Sequence, residues 1–196
     1  MSWFHTEALI FDMDGTLADS MPVHYRAWQV VCQRYALSFP YDKFQALGGV
    51  PTRQTLEILQ AEQGGRFSID EACALKESAM EGQLESVFPV NEVIAIARWG
   101  RAQGMPLGVA TGASRDHAEI TLSALGIRDW FDAVATADDV DRFKPEPDVF
   151  LVAAKRLGVQ PAKCAAFEDT DIGLQAIRAA GMKPFDVRLR LPAIPA

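Results

Sequence analysis

The stretch Ala8-Leu-Ile-Phe-Asp-Met-Asp-Gly-Thr-Leu-Ala-Asp-Ser20 drives an apolar segment straight into charge. Ala8 to Phe11 read as a buried strand, and Asp12 and Asp14 follow it one residue apart. Carboxylates at the end of a buried strand are costly unless something there uses them. At i and i+2 they point to one face wherever extended geometry persists.

Outward from this stretch, three more short apolar runs read as buried strands: Leu107–Ala110, Ala133–Thr136 and Cys164–Phe167, with Pro184–Val187 as a fifth. Between the later runs lie helical patterns, Ser114–Gly126, Pro147–Gly158 and Thr170–Gly181, each closing on a glycine where a helix C-cap wants one. Strand alternating with helix predicts a doubly wound, Rossmann-like parallel sheet. Residues 20–87 break the alternation and read as helices only: Pro22–Tyr35, Tyr41–Leu47, Thr52–Gln63 and Ile69–Ser86. Val23, Ala27, Val30, Val31 and Tyr35 give the first an apolar stripe, and Ser68 with Glu71 has the spacing of a capping box before the last. The expected organisation is an α/β core of residues 1–19 and 88–196, with residues 20–87 inserted as a helical cap. An insertion after the first strand falls at the ligand-binding edge of an open α/β sheet, where it is placed to act as a lid.

Composition bounds the chemistry. Of 196 residues, 49% are apolar and 23% charged, a globular balance. A net charge of −7 argues against nucleic acid or an anionic membrane surface as partner. Cys32, Cys73 and Cys164 are scattered and odd in number, which suits a reducing compartment. Asp12 and Asp14 interrupt the one candidate signal segment. A cytoplasmic protein, monomeric or weakly dimeric, is the expectation.

Polar residues follow the apolar runs: Asp12 and Asp14 after the first, Thr111-Gly112 after the second, Lys144-Pro145 beyond the third, and Glu168-Asp169 at the fourth. In a parallel sheet all of them collect along one edge. Carboxylates, a hydroxyl and a lysine suggest a hard cation with oxygen ligands beside a bound oxyanion. His5, His24 and His117 lack ligand spacing, which argues against zinc.

Phe11-Asp-Met-Asp-Gly-Thr16, Thr111-Gly112, Lys144-Pro145 and Phe167-Glu-Asp-Thr-Asp-Ile-Gly173 resemble, in order, the four motifs of the haloacid dehalogenase-like phosphohydrolases. The helical insert resembles the cap of the subgroup that holds β-phosphoglucomutase and sugar-phosphate phosphatases. The segment Gly181–Leu189 is similar to the bacterial fructose-1-phosphate/6-phosphogluconate phosphatase type. The resemblance implies a phosphomonoesterase acting on a small sugar phosphate or sugar-acid phosphate. It implies Asp12 as the nucleophile that becomes an aspartyl phosphate, a role a carboxylate can fill when a metal neutralises the incoming charge. Asp14 is implied as general acid/base and, through its backbone carbonyl, as a metal contact. Thr111 and Gly112 would bind phosphoryl oxygens, as an anion at a helix N-terminus is bound. Lys144 would neutralise charge between nucleophile and phosphoryl group. Asp169, and Glu168 directly or through water, would complete a Mg²⁺ site with Asp12. In the cap, His24, Arg53 and Lys76 match positions that touch substrate, although Pro51 makes the loop Gly49–Arg53 depart from the mutase pattern. Trp28 and Trp99 read as packing residues. The alternative activity is that of β-phosphoglucomutase. A phospho-accepting domain without turnover is a third reading, against which Asp14 speaks, because a mere acceptor needs no second acid.

Overall fold

The computed structural model describes residues 3–83 and 87–194. The chain divides into two compact units, one formed by Met1–Asp19 with Phe88–Ala196 and the other by Ser20–Val87. In the first unit, strands β1 (Ala8–Phe11), β4 (Leu107–Ala110), β5 (Ala133–Ala135), β6 (Cys164–Glu168) and β7 (Lys183–Asp186) form one sheet in the order β5-β4-β1-β6-β7. Every pairing is parallel, with Leu9 opposite Leu107 and Ala165, and Phe11 opposite Val109 and Phe167. The order reverses about β1, which puts its carboxyl end at the centre of the edge where open α/β sheets bind ligands.

Strand alternation divides the core between two faces. Leu9 and Phe11 face a layer with Val93, Ile96 and Ala97 of helix α5 (Asn91–Ala102) and Ala118 and Leu122 of α6 (Arg115–Ala124). Ala8 and Ile10 face Val149, Phe150 and Ala153 of α7 (Asp148–Leu157) and Leu174 and Ile177 of α8 (Asp171–Ala179). Gly126, Gly158 and Gly181, at the expected helix ends, all take left-handed φ values of 68–73°. A two-stranded antiparallel pair, β2 (Ala18–Asp19) with β3 (Phe88–Pro89), lies at the ends of the chain segments that flank the other unit.

The second unit consists of α1 (Met21–Tyr35), α2 (Tyr41–Ala46), α3 (Thr52–Gln63) and α4 (Ile69–Glu81). Its own core holds Trp28, Val31, Cys32, Phe39, Phe44, Leu56, Leu59 and Ala72. Among the described residues no helix is long and apolar enough to cross a membrane.

The structure corrects several boundaries. The fourth helix of the insert ends at Glu81, before Gly82, and the expected last turn at 84–86 lies outside the described residues. Ser68 caps it by accepting from the Glu71 amide at 3.3 Å. Val30, placed in the apolar stripe of α1, is instead exposed, while Trp28 and Cys32 are buried. The last strand runs one residue earlier than expected, and Thr136 leaves the sheet to cap a 3₁₀ turn at Ala137–Asp139. Helix α5 is an addition to the expected elements, and it too closes on a left-handed glycine, Gly104 with φ +70°. Its interior Gly100 admits Leu9, whose Cδ1 would stand 2.7 Å from an added Cβ.

Phe167 sits fully buried at the centre of an aromatic stack, with ring centroids 4.8 Å from Phe11, 5.2 Å from Phe185 and 5.6 Å from Trp3. Phe167→Ala is expected to cost about 3–5 kcal/mol, the transfer term plus an unfilled cavity. Urea unfolding measures it, and a loss below about 1 kcal/mol would mean that this stack does not hold the sheet together.

Candidate active site

The site grows from the carboxyl ends of β1, β4 and β6. Asp12 extends β1 by one residue, its amide donating to Phe167 O at 3.0 Å. The chain then turns tightly: the amides of Thr16, Leu17 and Ala18 all donate to Met13 O. Gly15 has φ +83°, a conformation suited to glycine. A Cβ there would also stand 2.2 Å from Asp169 Oδ2, so the missing side chain is what admits Asp169. Thr16 Oγ1 donates to Asp169 Oδ1 at 3.0 Å and ties the first and fourth motifs together.

Lys144 is buried, and its Nζ donates to Asp12 Oδ1 and to Glu168 Oε2, each at 2.7 Å. The ammonium also lies 5.0 Å from the centroid of the Phe150 ring. Arg142, two residues earlier, grips Asp148 through Nε and Nη2 at 3.0 and 2.9 Å and so fastens the loop that carries Lys144 to the start of α7. Glu168 is buried as well. Its Oε1 accepts from the Asp169 amide, the Thr170 amide and Thr170 Oγ1. A Cβ on Gly173 would stand 2.0 Å from Glu168 Oε2, so this glycine in the first turn of α8 makes room for the carboxylate. Thr111, buried at the end of β4, donates its amide to Ala135 O and accepts from the Ala113 amide on its hydroxyl. Gly112 beside it is exposed, with nothing near the position of an added Cβ.

Asp12, Glu168 and Asp169 each offer one oxygen, and these lie within 4.8 Å of one another. That crowding is electrostatically expensive. Burial lifts Asp12 well above the usual carboxylate range, with the charges of Glu168 and Asp169 adding and Lys144 opposing. Asp169 is pushed up to about 7, by burial first and then by Glu168, against the hydrogen bond from Thr16. Burial alone would pull Lys144 down, but Asp12 and Glu168 outweigh it and the ammonium is held more firmly charged than usual. One lysine does not balance two buried carboxylates and a half-buried third. A hard divalent cation with oxygen ligands fits this donor set and would relieve the remaining repulsion.

The structure thus brings Asp12, Lys144, Glu168 and Asp169 together in the α/β unit. Asp14 follows in the same turn, joined to Ala18 by a β-bridge. In the helical unit, Lys76 is buried with its Nζ 3.1 Å from His24 Nδ1. Arg53 pairs with Asp70, both side chains largely exposed. Trp28 packs in the helical core and Trp99 against the aromatic layer of the sheet. Thr16 and Gly173 stand in the first and fourth motifs with no chemistry of their own. Their work is spatial, to admit and fix the side chains of Asp169 and Glu168.

Residues 6–181 match the family model described as haloacid dehalogenase-like hydrolase. The chain is 44% identical over 183 residues to the fructose-1-phosphate phosphatase YqaB of Escherichia coli strain K12, covering 92% of this chain and 96% of that protein. It is 30% identical over 184 residues to the β-phosphoglucomutase of Bacillus subtilis strain 168, covering 90% and 80%. Among solved structures, CbbY from Rhodobacter sphaeroides in complex with phosphate superposes with a TM-score of 0.83 at 25% identity, covering 91% of this chain and 84% of that one.

The raised Asp169 pKa gives a signed prediction. Between the carboxyl's ordinary value of 3.8 and its folded value of about 7, the folded protein holds more protons than the unfolded chain. The contribution of this group to stability is therefore present at low pH and lost as pH rises through 7. Asp139 and Asp186, both lowered, lose their own contributions only below this window. Chelated protein should melt lower at about pH 8 than at about pH 5.5, and added Mg²⁺ should raise Tm more at the higher pH, where it displaces no proton. A Mg²⁺ shift that is larger at the acid end would contradict this account of the cluster.

Proposed function

From the premise that this chain belongs to the haloacid dehalogenase-like hydrolases, we propose that it is a Mg²⁺-dependent phosphatase of a small sugar phosphate or sugar-acid phosphate. The observation that carries the reading is the buried Lys144 ammonium held 2.7 Å from both Asp12 and Glu168, with Asp169 alongside. Such a cluster is expensive to bury and suited to receive a phosphoryl group. The similarity to a fructose-1-phosphate phosphatase over nearly the whole chain supports a sugar phosphate as substrate.

In the first step an Asp12 carboxylate oxygen attacks phosphorus and the bond from phosphorus to the sugar oxygen breaks. Asp14, as the carboxylic acid, gives its proton to that leaving oxygen. In the second step water attacks phosphorus and loses a proton to the Asp14 carboxylate. The acyl phosphate bond breaks, which regenerates Asp12 and releases inorganic phosphate. Lys144 stabilises charge on the attacking carboxylate and the transferring group throughout, and Thr111 with the Gly112 amide holds phosphoryl oxygens. Asp12, Asp169, the Asp14 carbonyl and, directly or through water, Glu168 would hold Mg²⁺, which when bound supplies charge neutralisation. His24, Arg53 and Lys76 of the helical unit are the proposed contacts to the rest of the substrate.

Asp12→Asn should abolish phosphate release from fructose 1-phosphate without loss of fold, because an amide is a poor nucleophile. Phosphate release together with circular dichroism tests this, and more than trace turnover in a folded, uncontaminated preparation would remove Asp12 from its role.

The second reading, β-phosphoglucomutase, is favoured by His24 and by the relative of that name. A mutase must keep its phosphoenzyme from water until the intermediate presents its other hydroxyl, whereas a phosphatase needs water to arrive promptly. The loop Gly49–Arg53, with Pro51, favours the phosphatase. Inorganic phosphate release without added bisphosphate should outrun conversion of β-glucose 1-phosphate to glucose 6-phosphate. Phosphate colorimetry and a coupled dehydrogenase, read on one reaction, decide it. Isomerisation that needs glucose 1,6-bisphosphate and exceeds phosphate release would establish the mutase.

A further inference from the structure

His117 has no part in the chemistry described so far, yet the fold delivers it to the catalytic edge. It occupies the third position of α6, where its amide donates to Oγ of the N-cap Ser114 at 3.4 Å. That helix start is fixed from outside as well. The Ala137 amide donates to Ala113 O at 2.9 Å, and the Arg115 amide donates to Asp138 Oδ2 at 2.8 Å. Asp116, Ile120 and Ser123 mark the exposed face of α6, while Ala118, Thr121 and Leu122 are buried. His117 stands one turn before Thr121, on the covered side, and its side chain retains 14% of its exposure. A polar ring turned away from solvent gives up hydration, so its direction has to be compensated by what it meets.

What it meets is Asp14. His117 Nε2 lies 3.7 Å from Asp14 Oδ1, and the Asp14 side chain is itself only 16% exposed. The separation is somewhat beyond a hydrogen bond, and catalytic hydrogen bonds are often long before substrate binds. The Asp14 backbone is set by its bridge to Ala18 and by the Gly15 amide donating to Ala18 O at 2.8 Å. These bonds do not fix the χ angles of the carboxyl. A side chain that alternately gives and takes a proton needs its oxygen aimed, because small misplacements are costly in rate.

We propose that His117 is a positioning residue for Asp14, its Nε2 holding the Asp14 carboxyl in the orientation that proton delivery to the leaving sugar oxygen requires. This rests on the proposed acid role of Asp14 and adds a group from a separate segment of the chain. In this assignment His117 acts on the Asp14 carboxyl, not on the oxygens proposed to hold the metal or the phosphoryl group. Its effect therefore scales with how much the leaving group needs a proton.

The test compares first-step rates on two substrates in the presence of Mg²⁺: fructose release from fructose 1-phosphate by rapid quench, and the nitrophenol burst from 4-nitrophenyl phosphate. The proteins are the parent, Asp14→Asn, His117→Ala, His117→Gln and the double variant Asp14→Asn/His117→Ala. His117→Ala should slow the sugar-phosphate step by about 10–100-fold, the range for loss of an orienting partner. It should leave the nitrophenol burst nearly unchanged, since that leaving group needs no proton. His117→Gln, whose amide can donate from a similar place, should recover most of the loss and serves if the alanine variant folds poorly. In the Asp14→Asn background the alanine substitution should add nothing. Equal loss on both substrates, no loss on either, or additivity with Asp14→Asn would overturn the proposal. The Asp14→Asn arm reads the acid assignment separately: equal loss on both substrates there refutes the role of Asp14 and takes the His117 proposal with it, whereas a selective loss with a parent-like His117→Ala refutes the histidine alone.

Discussion

A single buried ammonium beside two buried carboxylates and a half-buried third is the constraint on which this site depends. Lys144 satisfies Asp12 and Glu168 directly, each at 2.7 Å, and leaves Asp169 with Thr16 as its hydrogen-bond donor. Burying an ion pair is seldom a net gain in stability, and burying an excess of one sign is worse. The raised pKa values of Asp12 and Asp169 express that cost as a preference for protons at positions where the proposed phosphoryl transfer would need anions. A divalent cation would resolve the conflict by taking the place of the protons, which is what the proposed attack by the Asp12 carboxylate requires. In the proposed mechanism, metal binding and activation of Asp12 would be one electrostatic event.

The parallel sheet is what makes such crowding achievable. β1 lies between β4 and β6, so the residues that leave its carboxyl end are flanked by those leaving both neighbours. Bringing the carboxylates into range still takes space at the backbone, and two glycines provide it. Gly15 yields room to Asp169 and Gly173 yields room to Glu168, each where a Cβ would stand within about 2 Å of a carboxylate oxygen. Hydroxyl groups then fix what the glycines admit: Thr16 on Asp169, Thr170 on Glu168.

These arrangements explain what could be read in the sequence. Asp12, Lys144, Glu168 and Asp169 were legible because each follows an apolar run, and parallel topology converts that position into proximity. The helix-ending glycines at 126, 158 and 181 were legible because a left-handed C-cap is a local event. The purpose of Thr16 and Gly173 was not, since it exists only in contacts with side chains set by the fold; Thr16 and Asp169 stand 153 residues apart in sequence. Helix α5 has no side-chain N-cap bond to mark its start, although Gly104, with φ +70°, closes it as Gly126 closes α6. Val30 shows the limit of periodicity, since it fits the apolar stripe of α1 but its position on the helix surface leaves it exposed. His117 was legible only as a histidine without a metal-ligand spacing, and its relation to Asp14 required the placement of α6.

Asp139 extends the same logic beyond the reacting groups. Its carboxylate accepts from both Nη atoms of Arg156, from Arg115 Nη2 at 2.5 Å and from the amide of Thr136 at 2.9 Å. Arg115 opens the helix after the Thr111 turn, Arg156 lies on the helix that follows Lys144, and Thr136 ends the strand between them. The helix that follows the Thr111 turn and the helix that follows Lys144 are therefore joined through one side chain, that of Asp139. The Arg156 hydrogen bonds, against the opposing effect of burial, hold Asp139 well below the usual carboxylate range. Its charge thus persists over the pH range in which Asp169 titrates. A junction whose charge does not change as Asp169 titrates keeps the same ion pairs across that pH range, so these elements stay tied whatever the ionisation of Asp169.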